Sequence, residues 1–352
     1  MKYLIAGLGS VGRRHMRNLI ALGEKDILLL RTRKTTLPED ELAPFPQETD
    51  LRAALERHRP DAVIVANPTS LHLDVAIPAA EAGCTILLEK PISHSMAGVD
   101  KLQAVVEESG TKVLVAFQFR YHPGLVRAKQ LISDGEIGRI VSAHVHFGEY
   151  LPAWHPWEDY RQGYAARAEL GGGVVLTQCH SLDYLPWLVG KEVETVWGFT
   201  GKVSDLEVDV EDTAKIGLRF EGGALGSLHL DYNRQPPVHT FDIVGTKGSI
   251  KWDLIDGITY IYYAASPSPD GSPKGVLRKG AGGEGKWQIY PMPEGWERNV
   301  MFMEQMKHFI AVTRGDAESS CPLEDGIRAQ QLAEAVHESQ RLGRIIDLQE
   351  IG

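Results

Sequence analysis

The sequence predicts a two-part α/β chain. A doubly wound parallel sheet comes first, followed by a C-terminal α+β domain with a large, mostly antiparallel open sheet. Three observations carry this. Short apolar runs alternate with helix-like runs through the first third of the chain, the pattern of a parallel sheet buried under crossover helices. Closely spaced strand-like runs with few helices between them follow. A glycine turn, Gly7-Leu8-Gly9-Ser10-Val11-Gly12, joins the first apolar run to the first helix-like run.

In chain order, strands are expected at residues 3–6, 27–30, 62–66, 85–89 and 112–117, and helices at 11–22, 50–59, 70–82 and 95–109. Gly23, Gly83 and Gly110 stand where a left-handed residue would end three of these helices. A helix at 126–133 opens the second part. Residues 140–150 then alternate, Ile140, Ser142, His144 and His146 against Val141, Ala143, Val145 and Phe147. Further strands are expected at 194–203, 213–220, 225–233, 240–244, 249–252 and 258–263, rich in β-branched and aromatic residues. Residues 265–286, full of Gly, Pro and Ser, read as an exposed loop. Helices at 299–313 and 323–342 close the chain. Early Glu324 and Asp325 and late Arg341 match the dipole of the second. The expected domains are 1–119, 120–322, and a C-terminal helix and tail at 323–352 that packs back on the first domain.

Composition excludes several classes. At 352 residues, 43% hydrophobic and 24% charged, the chain can bury the cores of two soluble domains. Its formal charge of −10 argues against a nucleic-acid or anionic-membrane surface. Cys84, Cys179 and Cys321 are far apart with no C-x-x-C. That fits a reducing compartment and gives neither a disulfide framework nor a zinc site. There is no apolar run of about eighteen residues to mark a membrane span, and the N-terminus leads directly into a strand, so the cytoplasm is the expected location.

A G-x-G-x-x-G turn between a strand and a helix is a dinucleotide-binding fingerprint. Gly7, Gly9 and Gly12 allow the tight turn, the close approach of a pyrophosphate and the packing of helix on strand. Ser10 and Val11 begin the helix whose free N–H groups favour phosphate. An acidic residue about twenty positions on ordinarily binds the ribose 2′-hydroxyl. Here Leu30 is followed by Arg31-Thr32-Arg33-Lys34. Guanidinium groups suit a 2′-phosphate in charge and donor geometry, so NADP is the expected cofactor, with NAD possible. The alternative is a solvated basic loop.

Further motifs converge. Asn67-Pro68-Thr69-Ser70-Leu71-His72 follows the third expected strand, and Glu89-Lys90-Pro91 ends the fourth. Gly171-Gly172-Gly173 opens a helix containing His180-Ser181-Leu182-Asp183, and Glu324-Asp325-Gly326 starts the last helix, which holds Glu334, Ala335 and Ser339. In this order and spacing the chain resembles, over almost its whole length, the glucose–fructose oxidoreductase / inositol dehydrogenase / rhizopine-catabolism (Gfo/Idh/MocA) family. The resemblance implies an N-terminal Rossmann domain and an α/β domain with a large open sheet. It also implies homodimers or homotetramers formed through that sheet, and reversible hydride transfer between a nicotinamide and a sugar or polyol carbon. A cis Lys90–Pro91 bond belongs to the same expectation.

Lys90 stands at the carboxyl end of a parallel strand, where open α/β sheets bind ligands. The resemblance gives it a substrate hydroxyl to bond and a proton to relay, and desolvation would lower its pKa. His180 is implied to take the proton as a carbinol becomes a carbonyl. Many members of the family place an Asp four residues before this histidine; here Leu176 stands there, or Thr177 if counted from the glycines. Asp183, one turn later, either orients the imidazole or caps a structural network. By resemblance Asn67, Pro68 and His72, with Glu89 and Lys90, line the nicotinamide or its ribose. Arg120 and Tyr121 either face the substrate cleft or anchor a linker. Trp154, Tyr164 and Arg167 suit a sugar ring, or belong to a loop packed on its own sheet. Thr177 joins the substrate group. His144 and His146 share a strand face without an acidic or cysteine partner nearby in sequence, so they read as structural and no metal is expected. The expected function is NAD(P)-dependent oxidoreduction of a small sugar-like molecule. The rivals are a cofactor-retaining glycosidase, epimerase or lyase, and a non-enzymatic dinucleotide sensor.

Overall fold

A computed structural model describes residues 1–31, 40–264 and 286–351. Thr32, Arg33 and residues 265–285 of the loop expected at 265–286 lie outside the described residues. The first part comprises β1 (Lys2–Ala6), α1 (Ser10–Ala21), β2 (Asp26–Leu30), β3 (Gln47–Glu48), α2 (Leu51–His58), β4 (Ala62–Val65), α3 (His72–Glu81), β5 (Thr85–Leu88), α4 (Val99–Ser109) and β6 (Val113–Val115). The strands form one parallel sheet in the order β3-β2-β1-β4-β5-β6. Every residue of β4 is buried, and so are all but the first of β1 and β5, because helices cover both faces of a parallel sheet. Gly23, Gly83 and Gly110 take positive φ where their helices stop.

Three expected strands end earlier than their apolar runs. Ala66, Glu89 and Phe117 leave the ladders of β4, β5 and β6. The chain turns there, so the carboxyl ends of β1, β4, β5 and β6 deliver Gly7, Asn67, Lys90 and Gln118 to one edge of the sheet.

The second part runs α5 (Pro123–Ser133), β7 (Ile140–Gly148), α6 (Val174–Thr177), α7 (His180–Val189), β8 (Val193–Gly201), β9 (Thr213–Phe220), β10 (Leu225–Asp231), β11 (Val238–Gly245), β12 (Gly248–Asp253), β13 (Ile258–Tyr263), β14 (Lys286–Tyr290), α8 (Asn299–Arg314), α9 (Leu323–Leu342) and β15 (Ile346–Asp347). Its sheet has the order β14-β13-β12-β11-β7-β10-β9-β8-β15, antiparallel throughout except for the parallel pair β7–β10. Ala143, Val145 and Phe147 of β7 are buried on the inner face, where α7 packs; His144 and His146 point to the outer face. Lys286, expected at the end of a loop, begins β14, and β15 adds a strand at the opposite edge.

Helices α8 and α9 tie the two parts together. Asn299 bonds Asn18 of α1 at 3.1 Å, Arg314 pairs with Glu24 at 2.7 Å, and the Arg14 guanidinium lies 4.4 Å from the Phe302 ring centre. The start of α9 packs on the first part, with Gly326 against Ile92 and Val115. Its far end lies on β8, where Ser339 accepts from the Gly198 N–H at 3.0 Å.

The single helix expected from the triple glycine through His180 is broken. A continuous helix would give the Thr177 carbonyl to the Ser181 N–H. Instead Ser181 bonds Gln178 at 3.3 Å, and the Lys90 ammonium takes the Thr177 carbonyl at 2.9 Å. His180 therefore opens its own helix, α7.

Candidate active site

The glycine turn is shaped for a dinucleotide. A side chain at Gly7, which has φ of +93°, would collide with the backbone of Ala66 and Asn67, and one at Gly12 would lie 1.9 Å from the Gly7 carbonyl oxygen. A side chain at Gly9 would meet nothing within 4 Å. Gly7 and Gly12 thus serve packing, while Gly9 keeps open the space a pyrophosphate would occupy. Gly9 caps α1 without a side-chain bond, so Ser10 and Val11 begin a helix whose N–H end suits phosphate.

Beneath this turn, the buried His15 Nε2 meets Glu89 Oε1 at 2.7 Å, and the Glu89 carboxylate also accepts from the Lys90 N–H at 3.2 Å. Burial alone would raise the Glu89 carboxyl. The His15 bond and the neighbouring Lys90 and His72 outweigh it and hold its pKa below the usual value. Asn67 donates to the Leu71 carbonyl at 2.8 Å and leaves its Oδ1 buried without a partner among the described residues. Pro68 turns the chain into the short helix Thr69–Leu71.

His72 departs from its expected part in lining the ribose. Its Nδ1 meets the Pro91 carbonyl at 2.8 Å and its Nε2 meets the Asn67 carbonyl at 3.0 Å. It is 2% exposed, and burial lowers its pKa. The neutral ring has a single N–H, which one of these carbonyls accepts, so His72 is wedged between the Asn67 turn and the Lys90 turn.

The Lys90–Pro91 bond is cis. Burial works against the Lys90 ammonium, but the surrounding Tyr164, Cys179 and Glu89 outweigh it, so the pKa lies above the ordinary lysine value. The expected lowering by desolvation is thus reversed by the groups around it. Across the cleft, His180 is 5% exposed, with the edges of Phe117 and Phe119 against it at 5.9 and 4.9 Å between ring centres. Gln118 Nε2 approaches His180 Nε2 at 3.2 Å, and His180 Nδ1 is buried without a partner among the described residues. Burial, with Lys90, His239 and Arg298 adding to it, drives the His180 pKa well below 6.5. The imidazole is neutral at physiological pH.

Several expected site residues are engaged elsewhere. Arg120 donates to both oxygens of Asp183, at 2.5 and 3.0 Å, and to Asp325 at 2.7 Å. Asp183 thereby fits the structural alternative rather than the imidazole-orienting one, and Arg120 anchors the linker rather than facing the cleft. Burial pushes the Asp183 carboxyl up to about 6 against the pull of Arg120. The Tyr121 hydroxyl bonds Ser320 at 2.8 Å, which also makes it an anchor. Thr177 Oγ1 donates to the Gly173 carbonyl at 2.8 Å and meets the Tyr232 hydroxyl; its carbonyl is what reaches Lys90. Leu176 is buried. Arg31, 6% exposed, donates to Gln47 at 3.2 Å. Trp154 packs edge-on to Tyr232 at 5.5 Å with its Nε1 buried and unpartnered among the described residues, and Arg167 pairs with Glu169; Tyr164, 37% exposed, stays near Lys90.

Sequence reasoning missed Gln118, Glu149 and Arg298. Glu149 follows β7, and Lys90 and Arg298 oppose the rise that burial imposes on its carboxyl. No motif marks these residues; the folded chain brings them to Lys90 and His180.

Comparison with known proteins identifies the family. Residues 1–117 match the oxidoreductase family with an NAD-binding Rossmann fold, and residues 125–251 match the Gfo/Idh/MocA C-terminal domain. The chain belongs to the Gfo/Idh/MocA family of NAD-binding oxidoreductases. It is 25% identical to myo-inositol 2-dehydrogenase of Thermotoga maritima, across 100% of this chain and 99% of that protein. It is 30% identical to 2,7-anhydro-N-acetylneuraminate hydratase of Mediterraneibacter gnavus across 59% of this chain, a match that spans 55% of the relative. Levoglucosan dehydrogenase, solved in complex with NADH, superimposes with a TM-score of 0.83 at 22% identity, covering 99% of each chain.

Proposed function

We propose that this protein is an NAD(P)-dependent dehydrogenase, favouring NADP, that moves hydride between the nicotinamide and a CH–OH carbon of a sugar, polyol or sugar derivative. The observation that carries the reading is the pairing of a charged Lys90, oriented by the Thr177 carbonyl, with a neutral buried His180 beside the glycine turn. Gly9, Ser10 and Val11 would hold the pyrophosphate, and the unpartnered Asn67 Oδ1 offers an acceptor to the nicotinamide end. When bound, the nicotinamide supplies the hydride acceptor or donor. In the oxidation direction the Lys90 ammonium donates to the substrate oxygen and stabilises its developing negative charge. The neutral imidazole of His180 accepts the hydroxyl proton once Gln118 yields Nε2. In reduction His180 returns that proton.

NADP preference rests on the absence of a carboxylate at the end of β2 and on the cations Arg31 and Arg33. The relatives named as inositol and levoglucosan dehydrogenases support a sugar-like substrate. The outer face of the large sheet exposes Phe199, Trp287 and Ile289, which supports assembly as a homodimer or homotetramer. No described helix is long and apolar enough to cross a membrane, and the cysteines are free and buried, consistent with the cytoplasm.

The test is oxidation of myo-inositol, levoglucosan and a wider sugar panel with NADP and NAD, followed by nicotinamide absorbance. Turnover abolished in Lys90→Ala supports the reading. A second reading, transient oxidation with a retained cofactor, has the hydratase relative in its favour. Substrate consumed with no net change in absorbance would select it.

A further inference from the structure

The large sheet juxtaposes a second group of reactive side chains on its outer face. The parallel strands β7 and β10 place His146 opposite His229, and Asp231 follows two residues later on the same outer face. Asp231 Oδ2 lies 3.2 Å from His229 Nε2 and 3.6 Å from His146 Nε2. One donor atom from each residue lies within 4.8 Å of the others.

We propose that His146, His229 and Asp231 bind a divalent transition-metal ion, zinc in the first instance. Four ligands at zinc bond lengths of about 2.0–2.1 Å stand about 3.3–3.5 Å apart in a tetrahedron, and the two measured separations bracket that range closely. The surroundings are arranged as around a metal. His229 Nδ1 meets the Ala214 carbonyl at 3.3 Å, a partner for an Nδ1–H when Nε2 is given to a metal. His146 Nε2 is shielded from solvent and has no hydrogen bond of its own. The Asn233 N–H donates to Asp231 Oδ1 at 2.9 Å, leaving Oδ2 for the histidines. Gly148, opposite Asp231, leaves the carboxylate its place; a side chain there would come within 2.5 Å of Oδ2. Two imidazole nitrogens and one carboxylate oxygen suit zinc.

The test uses the full chain, stripped with chelator and titrated with Zn2+ by calorimetry and with Co2+ by visible absorption. One equivalent per chain, with the intense bands of four-coordinate Co2+, is expected. His229→Ala and Asp231→Asn should weaken binding at least about 100-fold while leaving dinucleotide binding unchanged. His146→Gln gives the same reading from the neighbouring strand should His229→Ala fail to fold. No metal uptake, or uptake that these substitutions leave unaltered, overturns the proposal and leaves a plain imidazole–carboxylate cluster.

Discussion

The Lys90 ammonium donates to the Thr177 carbonyl across 2.9 Å, joining the end of a Rossmann strand to the break between α6 and α7. The bond fixes the ammonium between the two halves of the cleft. Lys90→Met should lower kcat by about 10²–10⁴-fold while dinucleotide affinity, read by nicotinamide fluorescence, stays within a few fold. Equal loss of binding and turnover would make the lysine a cofactor ligand instead.

The glycines of the turn should separate in their effects. Gly9→Ala places its methyl in open space, so thermal stability should hold while dinucleotide affinity falls. Gly12→Ala drives its methyl into the Gly7 carbonyl, so the fold itself should lose stability. Thermal melts with and without dinucleotide distinguish the two.

Cofactor preference has its own test. Replacing Arg31 and Arg33 together by Ala should cut kcat/KM for NADP by about 10–100-fold, the worth of one charge-assisted contact, with little change for NAD. An equal fall with both cofactors would assign Arg31 to a structural role, its Gln47 bond included.

The buried Arg120–Asp183–Asp325 group should behave as structure. Asp183→Ala removes one of the two carboxylates paired with a guanidinium whose side chain is 8% exposed, and should cost up to about 3–5 kcal/mol in denaturant unfolding. Asp183→Asn should cost less and retain turnover. A large loss of kcat at unchanged stability would return Asp183 to the chemistry.

Acid should destabilise the protein through its buried histidines. His122, held at about 4 by burial, caps α5 by accepting from the Gly124 N–H at 3.1 Å. Its folded pKa lies below the unfolded value, so the unfolded chain takes up the proton first as pH falls. The stability is complete above 6.5 and is lost progressively towards 4. The slope is about 1.4 kcal/mol per pH unit for one such group. His122→Asn keeps a cap and removes the titration, so urea unfolding across this range should lose that much of its pH slope.

The parallel sheet was legible because burial on both faces leaves continuous apolar runs, as in residues 62–65. The glycine turn and Lys90 announced themselves by their place after such runs. What escaped notice depends on partners distant in sequence. The break before His180 is coupled to a lysine 87 positions from Thr177. Asp183 reads as a partner for His180 until Arg120, 63 positions away, is seen to hold both its oxygens. His144 and His146 read as a pair without an acidic partner because His229 and Asp231 meet His146 only through strand register. The edge strand β15 has two residues, too few to show alternation.

Helix α9 gives the Glu324-Asp325-Gly326 motif a mechanical meaning. Asp325 grips Arg120, and the bare backbone at Gly326 presses on Ile92, the second residue after Lys90; a methyl there would come within 2.5 Å of the Ile92 side chain. The helix is a buttress behind the lysine. The reach of the ammonium into the cleft is therefore set partly by a residue near the far end of the chain, which touches no reacting atom. Enlarging that residue would tune the enzyme as a shim tunes a hinge.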